Sequence, residues 1–107
     1  MKDFMNNIEK TRNTSEQIGF YEKMNDFIEL SGGSIINKMV AFPVYATRQS
    51  VTTSIEKYEI YKLCKNVTGS IVECGVAGGF GLMSFAHFVS IFEPYHYARK
   101  IIGFDTY

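Results

Sequence analysis

The sequence has no net charge, no long apolar run and only two cysteines, and each of these deficits excludes a class of protein. Eleven basic and eleven acidic residues balance to a formal net charge of zero, so nucleic-acid binding through a basic surface is not expected. No apolar run approaches the roughly 20 residues that span a bilayer, and no membrane association is predicted. With 46% hydrophobic residues in a chain of 107, the composition instead indicates a globular protein.

The two cysteines and the first residues bear on the cellular compartment. Cys64 and Cys74 lack the C-x-x-C spacing of redox and metal motifs. Because they fall on a predicted helix and a predicted strand, we expect them to be buried free thiols in a reducing compartment. Residues 1–7 lack the apolar segment of a signal peptide. Together these features predict a cytoplasmic protein.

The first half of the chain predicts one helix followed by an irregular stretch. Thr14-Ser15-Glu16-Gln17 forms a capping box before apolar residues at helical spacing, and Ser31-Gly32-Gly33 ends that pattern. Residues 34–50 are expected to be irregular, with extended backbone before the proline at Phe42-Pro43. We assign residues 1–50 to an N-terminal extension of helix and loop.

The second half predicts the first part of an α/β domain, over residues 51–107. Its predicted elements follow in the order helix from the capping box Thr53-Ser54-Ile55-Glu56, strand 70–74, helix 81–92 and strand 100–104. A strand, a helix and a second strand form a βαβ unit, whose strands should be parallel and joined by a right-handed crossover. The sequence therefore predicts an α/β fold with N-terminal helices.

One βαβ unit leaves too much apolar surface for a complete domain. The helix 81–92 is apolar almost all round, so it should be buried on two sides. A two-stranded parallel sheet cannot cover both of its own faces, which parallel sheets require. We therefore expect the chain to be the N-terminal part of a longer protein, and we also expect it to form homo-oligomers. The alternative is that a partner chain supplies the missing layers.

The most informative segment runs from Ser70 to Gly81, where an apolar strand ends in Glu73, breaks into glycines and continues into an apolar helix. A carboxylate near the end of a buried strand is costly unless something bonds it, so Glu73 is predicted to face a ligand. The next strand also ends in an acid, Asp105. Because parallel strands deliver their carboxyl ends to the sheet edge at which α/β proteins bind ligands, the two acids predict a nucleoside-type pocket.

The glycines fit one cofactor signature better than another. Read as the dinucleotide fingerprint G-x-G-x-x-G from Gly75, the segment places Phe80 where the third glycine belongs. The pattern that begins with the acid, Glu73-x-Gly75-x-Ala77-x-Gly79, matches the E-x-G-x-G-x-G signature of class I methyltransferases, with Ala77 at the middle glycine. This match favours S-adenosylmethionine (SAM) over a nicotinamide dinucleotide.

Five residues are predicted to bind SAM. Glu73 would contact the methionine end of the cofactor, directly or through water. Gly75, Gly78 and Gly79 would let the backbone approach the methionine part, because they carry no Cβ. Asp105 would accept hydrogen bonds from both ribose hydroxyls, an interaction that supports an adenosine ligand without separating SAM from NAD.

From Phe42 to Tyr107 the chain resembles the macrocin O-methyltransferase (TylF/MycF-like) family. Gly69-Ser70-Ile71-Val72-Glu73-Cys74-Gly75-Val76 is similar to that family's G-D-I-V-E-C-G-V, and Arg99-Lys100-Ile101-Ile102-Gly103-Phe104-Asp105-Thr106-Tyr107 is similar to its R-K-I-x-G-F-D-T/S-F. The resemblance implies a Rossmann-like class I methyltransferase fold, truncated here after the second strand. The departures from the family at Val76-Ala77 and Phe80 bear on the substrate side more than on the cofactor side.

The resemblance also implies an activity and a second cofactor. It implies SAM-dependent transfer of a methyl group to a hydroxyl of a small-molecule acceptor, typically on a sugar, with a divalent metal, usually Mg²⁺, helping to activate that hydroxyl. The family's metal-binding acids and catalytic base lie later in its sequence. We therefore expect no catalytic and no metal-binding residue before Tyr107, and we expect these residues alone to be inactive.

Two other functions stay open at this point. An NAD(P)-binding Rossmann oxidoreductase would have to tolerate Phe80 at the third glycine position, and it leaves Glu73 without an evident task. A non-catalytic interaction or oligomerisation module would act through the N-terminal helix.

Overall fold

The structure, a computed structural model, describes residues 14–106. The chain forms two compact units, which divide between Ala46 and Thr47. Residues 1–7 and Tyr107, which bear on the signal-peptide and family predictions, lie outside the described residues. The assignment of residues 1–50 to an extension and of residues 51–107 to a cofactor-binding domain stays a prediction.

The first unit begins with helix α1, Ser15–Leu30. Thr14 and Gln17 form the predicted capping box: the Gln17 amide donates to the Thr14 hydroxyl at 3.4 Å, and the Gln17 side chain accepts from the Thr14 amide at 2.9 Å. The helix ends before Ser31, whose backbone is extended. The prediction of this helix is confirmed at both ends, because its start and its stop are set by local hydrogen bonds.

The prediction of an irregular stretch after α1 is wrong. Two short helices follow, α2 over Ile35–Val40 and α3 over Phe42–Tyr45. Ser34 caps α2 by accepting a hydrogen bond from the Asn37 amide at 3.2 Å. Pro43 lies in the first turn of α3, so Phe42 is helical rather than extended. A proline is tolerated there because its missing N–H would have no acceptor within the helix.

The first unit leaves much of its apolar surface exposed. None of its three helices contains a buried residue. An apolar groove of about 590 Å³ runs across the unit, and residues lining it include Ile28, Ile35, Lys38, Met39, Phe42 and Tyr45. Inside the unit, the rings of Phe27 and Tyr45 lie 5.6 Å apart between centroids. Exposed apolar surface of this kind promotes association; a homo-oligomer stays a prediction.

The second unit begins with helix α4, Arg48–Cys64. Thr47 caps it by accepting from the Ser50 amide at 3.1 Å. The predicted start near Thr53 is therefore wrong: the Thr53 hydroxyl donates to the Gln49 carbonyl at 2.9 Å inside the helix. Extending a helix that has already nucleated is cheap, so the earlier of two suitable caps defines its start.

The βαβ unit follows α4. Strand β1 covers Ile71–Cys74, helix α5 covers Phe80–Phe92, and strand β2 covers Ile101–Phe104. The strands pair in parallel, from Ile71 opposite Ile101 to Cys74 opposite Phe104. The predicted elements and their parallel pairing are confirmed.

An aromatic core joins α4 to α5. Five rings lie 5.5 to 6.3 Å from their neighbours, those of Tyr58, Tyr61, Phe85, Phe88 and Phe92. Tyr61 and Phe85 are buried, with 1% and 6% of their surface exposed. Burial of such side chains contributes roughly 1.5–3 kcal/mol each. This packing holds α4 against α5, the helix that also contacts both strands of the sheet carrying the candidate site.

The opposite face of the sheet is open within residues 14–106. Side chains alternate along β1, so Ile71 and Glu73 are half-buried while Val72 and Cys74 are exposed. The expectation of two buried thiols is therefore wrong: Cys74 is an exposed free thiol and Cys64 a half-buried one. The physical reason is that Cys74 points away from α5. No helix within the described residues is long and apolar enough to cross a membrane.

A buried ionic cluster, formed by Tyr61, Glu93 and Arg99, closes the amino-terminal edge of the sheet. The Tyr61 hydroxyl donates to Glu93 Oε2 at 2.5 Å, and Arg99 Nε lies 3.3 Å from the same oxygen. This ion pair is close, but its Nε–H is not aligned for a hydrogen bond. Burial, together with the hydrogen bond to Glu93, raises the pKa of Tyr61 well above its usual range.

Arg99 also ties the end of α4 to the loop before β2. Its Nη2 donates to the carbonyl of Val67 at 2.6 Å and, at longer range, to those of Lys65 at 3.3 Å and Cys64 at 3.5 Å. The last carbonyls of a helix have no intrahelical partner and carry partial negative charge, so a guanidinium satisfies them well. The cluster thereby locks α4 onto the βαβ unit.

Candidate functional site

The candidate site lies at the carboxyl-terminal edge of the sheet, where β1 enters the loop of residues 75–79 and Asp105 directly follows β2. The amide of Gly75 donates to the Phe104 carbonyl at 2.7 Å, and the amide of Ala77 donates to Asp105 Oδ2 at 2.8 Å. The predicted acid on the second strand and the glycine loop after the first are therefore brought into direct contact.

Asp105 is held by backbone amides on both of its oxygens. Oδ2 accepts from Ala77, and Oδ1 accepts from the Thr106 amide at 2.8 Å. The side chain is half-buried. Each carboxylate oxygen can accept two hydrogen bonds, so both keep one acceptor position for a ligand hydroxyl. The carboxylate is thus oriented by the protein and still able to bind.

The loop that follows β1 depends on left-handed backbone. Gly75 and Gly79 have φ of 74° and 85°, and Ala77 has φ of 50°, a conformation that side chains with a Cβ rarely adopt. A Cβ added at Gly75, Gly78 or Gly79 would meet no atom within 4 Å among the described residues. The space beside the three predicted glycines is therefore open, as backbone access to a ligand requires.

Glu73 lies beneath the first turn of α5. A Cβ added at Gly81 would lie 2.5 Å from Glu73 Oε1 and 2.7 Å from Oε2. Glu73 Oε2 is buried and has no hydrogen-bond partner within the described part of the chain. The first amides of a helix lack intrahelical acceptors and carry partial positive charge, which stabilises a carboxylate at this position. The side chain therefore faces the helix start rather than open solvent.

Two glycines that were not predicted as site residues, Gly81 and Gly103, lie in close contact with side chains at the site. Gly81 leaves room for the Glu73 carboxylate, and a Cβ added at Gly103 would lie 2.7 Å from Val76 Cγ2 and 3.0 Å from Leu82 Cδ2. An isolated glycine inside a strand often marks such a close approach, and this signal was available at Gly103. Phe80, at the third position of the dinucleotide fingerprint, is too large for close packing of helix on strand. The next residue, Gly81, allows this packing.

No metal-binding residue was predicted within this chain, and the structure can be searched for a metal site only over residues 14–106. Residues 14–106 contain no group of three or more His, Cys, Asp or Glu side chains that could hold a metal ion. Use of Mg²⁺ therefore stays a prediction that rests on the family resemblance.

Comparisons with known proteins identify the fold. No family model matches the chain, and no curated protein matches it. Two solved structures of CalS11 match it, one described as the apo structure of a TDP-rhamnose 3'-O-methyltransferase of calicheamicin biosynthesis and the other as calicheamicin methyltransferase. Both are 26% identical to the chain, with TM-scores of 0.80 and 0.79. The fold is that of the N-terminal part of a methyltransferase.

The two matches cover almost all of this chain and less than half of CalS11. They include 91% and 90% of this chain, but 42% and 37% of the matched chains. The predicted fold class is confirmed: helices precede a parallel β-strand pair, as in the N-terminal part of a methyltransferase fold. The narrower resemblance to the macrocin O-methyltransferase family stays a prediction.

Proposed function

We propose that these residues form the N-terminal portion of a SAM-dependent O-methyltransferase that acts on a hydroxyl of a sugar or a sugar-containing small molecule. The observation that carries this proposal is the match of 91% of the chain to a TDP-rhamnose 3'-O-methyltransferase. The contact between the glycine loop and Asp105 supports it, because it creates a polar pocket edge where α/β proteins bind ligands.

The residues at this edge fit the cofactor. A Cβ added at Gly75, Gly78 or Gly79 would meet no atom within 4 Å among the described residues, which leaves the backbone there open to the methionine part of SAM. Asp105 retains acceptor capacity for the two ribose hydroxyls, and its orientation is already set by the Ala77 amide. When bound, SAM supplies a methyl group on a positively charged sulfur, which a hydroxyl oxygen can attack.

The location of Glu73 favours an indirect role over a direct contact. Its carboxylate lies beneath the first turn of α5, with Oε2 buried. From there the negative charge of Glu73 attracts the ammonium group of the methionine part of SAM through an intervening water. The same carboxylate holds the start of α5 against β1. Of the two modes that the sequence left open for Glu73, we therefore propose the one through water.

The remaining parts of the enzyme are assigned outside the described residues. The catalytic base, the acceptor site and the acids that would hold Mg²⁺ belong, in this proposal, to a longer parent protein. Residues 14–106 then supply the first half of the cofactor site and no group that activates the acceptor hydroxyl. A homo-oligomeric state and a cytoplasmic location are part of the same proposal.

Isothermal titration of the parent protein with SAM and with NAD⁺ tests the proposal. We expect SAM to bind and NAD⁺ not to bind; binding of NAD⁺ without SAM would favour the oxidoreductase, and binding of neither would favour a non-catalytic module. Asp105→Ala should weaken SAM binding by about 1–3 kcal/mol through the loss of charge-assisted hydrogen bonds. The matched control is Asp26→Ala, at an exposed acid on α1, which should leave the affinity unchanged.

A further inference from the structure

We infer that Asp105 is a positioning residue for the glycine loop: its carboxylate holds Ala77 in the left-handed conformation, so that the loop is formed before any cofactor arrives. The inference deepens the proposed function, because it gives Asp105 a task that precedes ligand binding. It concerns the protein without its ligand, and so it can be tested even where SAM does not bind.

The first observation is the backbone of Ala77. Its φ of 50° lies in the left-handed region, where a Cβ crowds the following carbonyl oxygen. The flanking residues with positive φ, Gly75 and Gly79, meet no such penalty because they are glycines. Ala77 is therefore the position in this loop that most needs an outside contact to keep its conformation.

The second observation is the contact that Ala77 makes. Its amide donates to Asp105 Oδ2 at 2.8 Å across a separation of 28 residues. A hydrogen bond to an ionised carboxylate is shorter and stronger than one between neutral groups. The loop is fixed at both ends, by β1 and by α5, so a change in the φ of Ala77 would have to be compensated by neighbouring torsions, including those that orient this amide. The bond and the unfavourable backbone conformation are thus coupled.

The third observation is that Asp105 is itself anchored. Its other oxygen accepts from the Thr106 amide at 2.8 Å, and the preceding residue, Phe104, accepts from Gly75 at 2.7 Å. The carboxylate is therefore fixed relative to β1 as well as β2. Its hydrogen bond to Ala77 can then hold the loop in one position relative to both strands.

Amide hydrogen exchange of the full chain without cofactor tests the inference. Asp105→Ala should speed exchange at Ala77 by about ten-fold or more, the factor that loss of a charge-assisted hydrogen bond implies, while amides within β1 and α5 change little. Asp105→Asn keeps an oxygen acceptor without the charge, so it should give an intermediate rate. Exchange that stays unchanged at Ala77, or that rises equally at all amides, would overturn the inference.

A second variant separates positioning from ligand contact. Ala77→Gly removes the backbone penalty, so the loop should depend less on Asp105. We expect the fold-loss of SAM affinity caused by Asp105→Ala to be smaller in the Ala77→Gly background than in the native chain. Equal losses in both backgrounds would show that Asp105 acts only through the ligand. If no variant and no native chain binds SAM, the proposed function fails while the exchange result still decides the positioning role.

Discussion

A carboxylate lies at each edge of the small sheet, and the two carboxylates have different kinds of hydrogen-bond partner. At the amino-terminal edge, Glu93 is enclosed by the hydroxyl of Tyr61 and the guanidinium of Arg99. At the carboxyl-terminal edge, Asp105 accepts hydrogen bonds from two backbone amides among residues 14–106, and it lies beside a loop with open space around its glycines.

The difference separates groups that stabilise the fold from groups that are available to a ligand. A buried ion pair that loses one partner leaves an uncompensated charge, so changes at the Tyr61–Glu93–Arg99 cluster should cost stability. Asp105 retains hydrogen-bond acceptor capacity that the described residues do not use. Changes there should affect ligand binding more than unfolding.

The largest effect is expected at Arg99. Arg99→Met should lower the free energy of unfolding by about 3–5 kcal/mol, because it leaves Glu93 buried without its cation and removes the donor to the end of α4. Urea denaturation followed by circular dichroism measures the change. Lys100→Met, at the exposed basic residue next in the chain, is the matched control and should cost little. A loss at Arg99 no larger than at Lys100 would contradict the assignment of this edge to stability.

A smaller effect is expected at Tyr61. Tyr61→Phe should cost about 1.5–3 kcal/mol, the range for a hydrogen bond to a charged group. Because its pKa is raised, the folded protein keeps the Tyr61 proton at a pH where the unfolded chain releases it, so this contribution is complete below pH 10 and is lost as the pH rises above it.

The pH dependence supplies the control for Tyr61. Tyr61→Phe should flatten the decline of unfolding free energy above pH 10. Tyr97→Phe, at a tyrosine that is 85% exposed, should leave the slope as it is. Denaturation series between pH 8 and 11 measure, for each variant, the slope of the unfolding free energy against pH. This range includes the pKa of an ordinary tyrosine, about 10. If Tyr61→Phe and Tyr97→Phe gave equal slopes of unfolding free energy against pH, the pKa of Tyr61 would not be raised by folding.

The smallest effect on stability is expected at the carboxyl-terminal edge. Gly81→Ala should cost about 1–3 kcal/mol, because the new methyl group would displace the Glu73 carboxylate. Unlike the changes at Arg99 and Tyr61, it should also weaken SAM binding by the parent, since it moves the start of α5. Gly19→Ala, where a Cβ meets nothing within 4 Å, is the matched control and should be neutral or slightly stabilising. Unchanged SAM affinity in Gly81→Ala would remove the Glu73–Gly81 contact from the site.

Local signals predicted much of the fold correctly, and they failed where two of them competed. The capping box at Thr14 and the succession of strand, helix and strand were confirmed, because both depend on residues close in sequence. The start of α4 was placed too late, since Thr47 and Thr53 both resemble caps and the chain extends the helix to the earlier one. Pro43 was taken to extend the backbone, yet it fits the first turn of α3.

The amino-terminal edge could not be predicted, although its residues are visible in the sequence. Tyr61 and Glu93 are 32 residues apart, and neither carries a local signal that it will meet the other. Their pairing depends on how α4 packs against α5, through an aromatic core that only the folded chain forms. The exposure of Cys74 has a similar cause, because the composition of β1 does not tell which of its faces α5 covers.

The sequence by itself determined that an apolar strand would carry Glu73 near its end, pass through glycines and enter an apolar helix, and that Asp105 would directly follow a parallel strand. These features follow from periodicity and from the backbone freedom of glycine, which act over a few residues. Only the tertiary structure decided that Asp105 bonds Ala77 and that Glu73 lies under Gly81. Such contacts join residues distant in the chain, and packing selects them from many alternatives that the sequence permits.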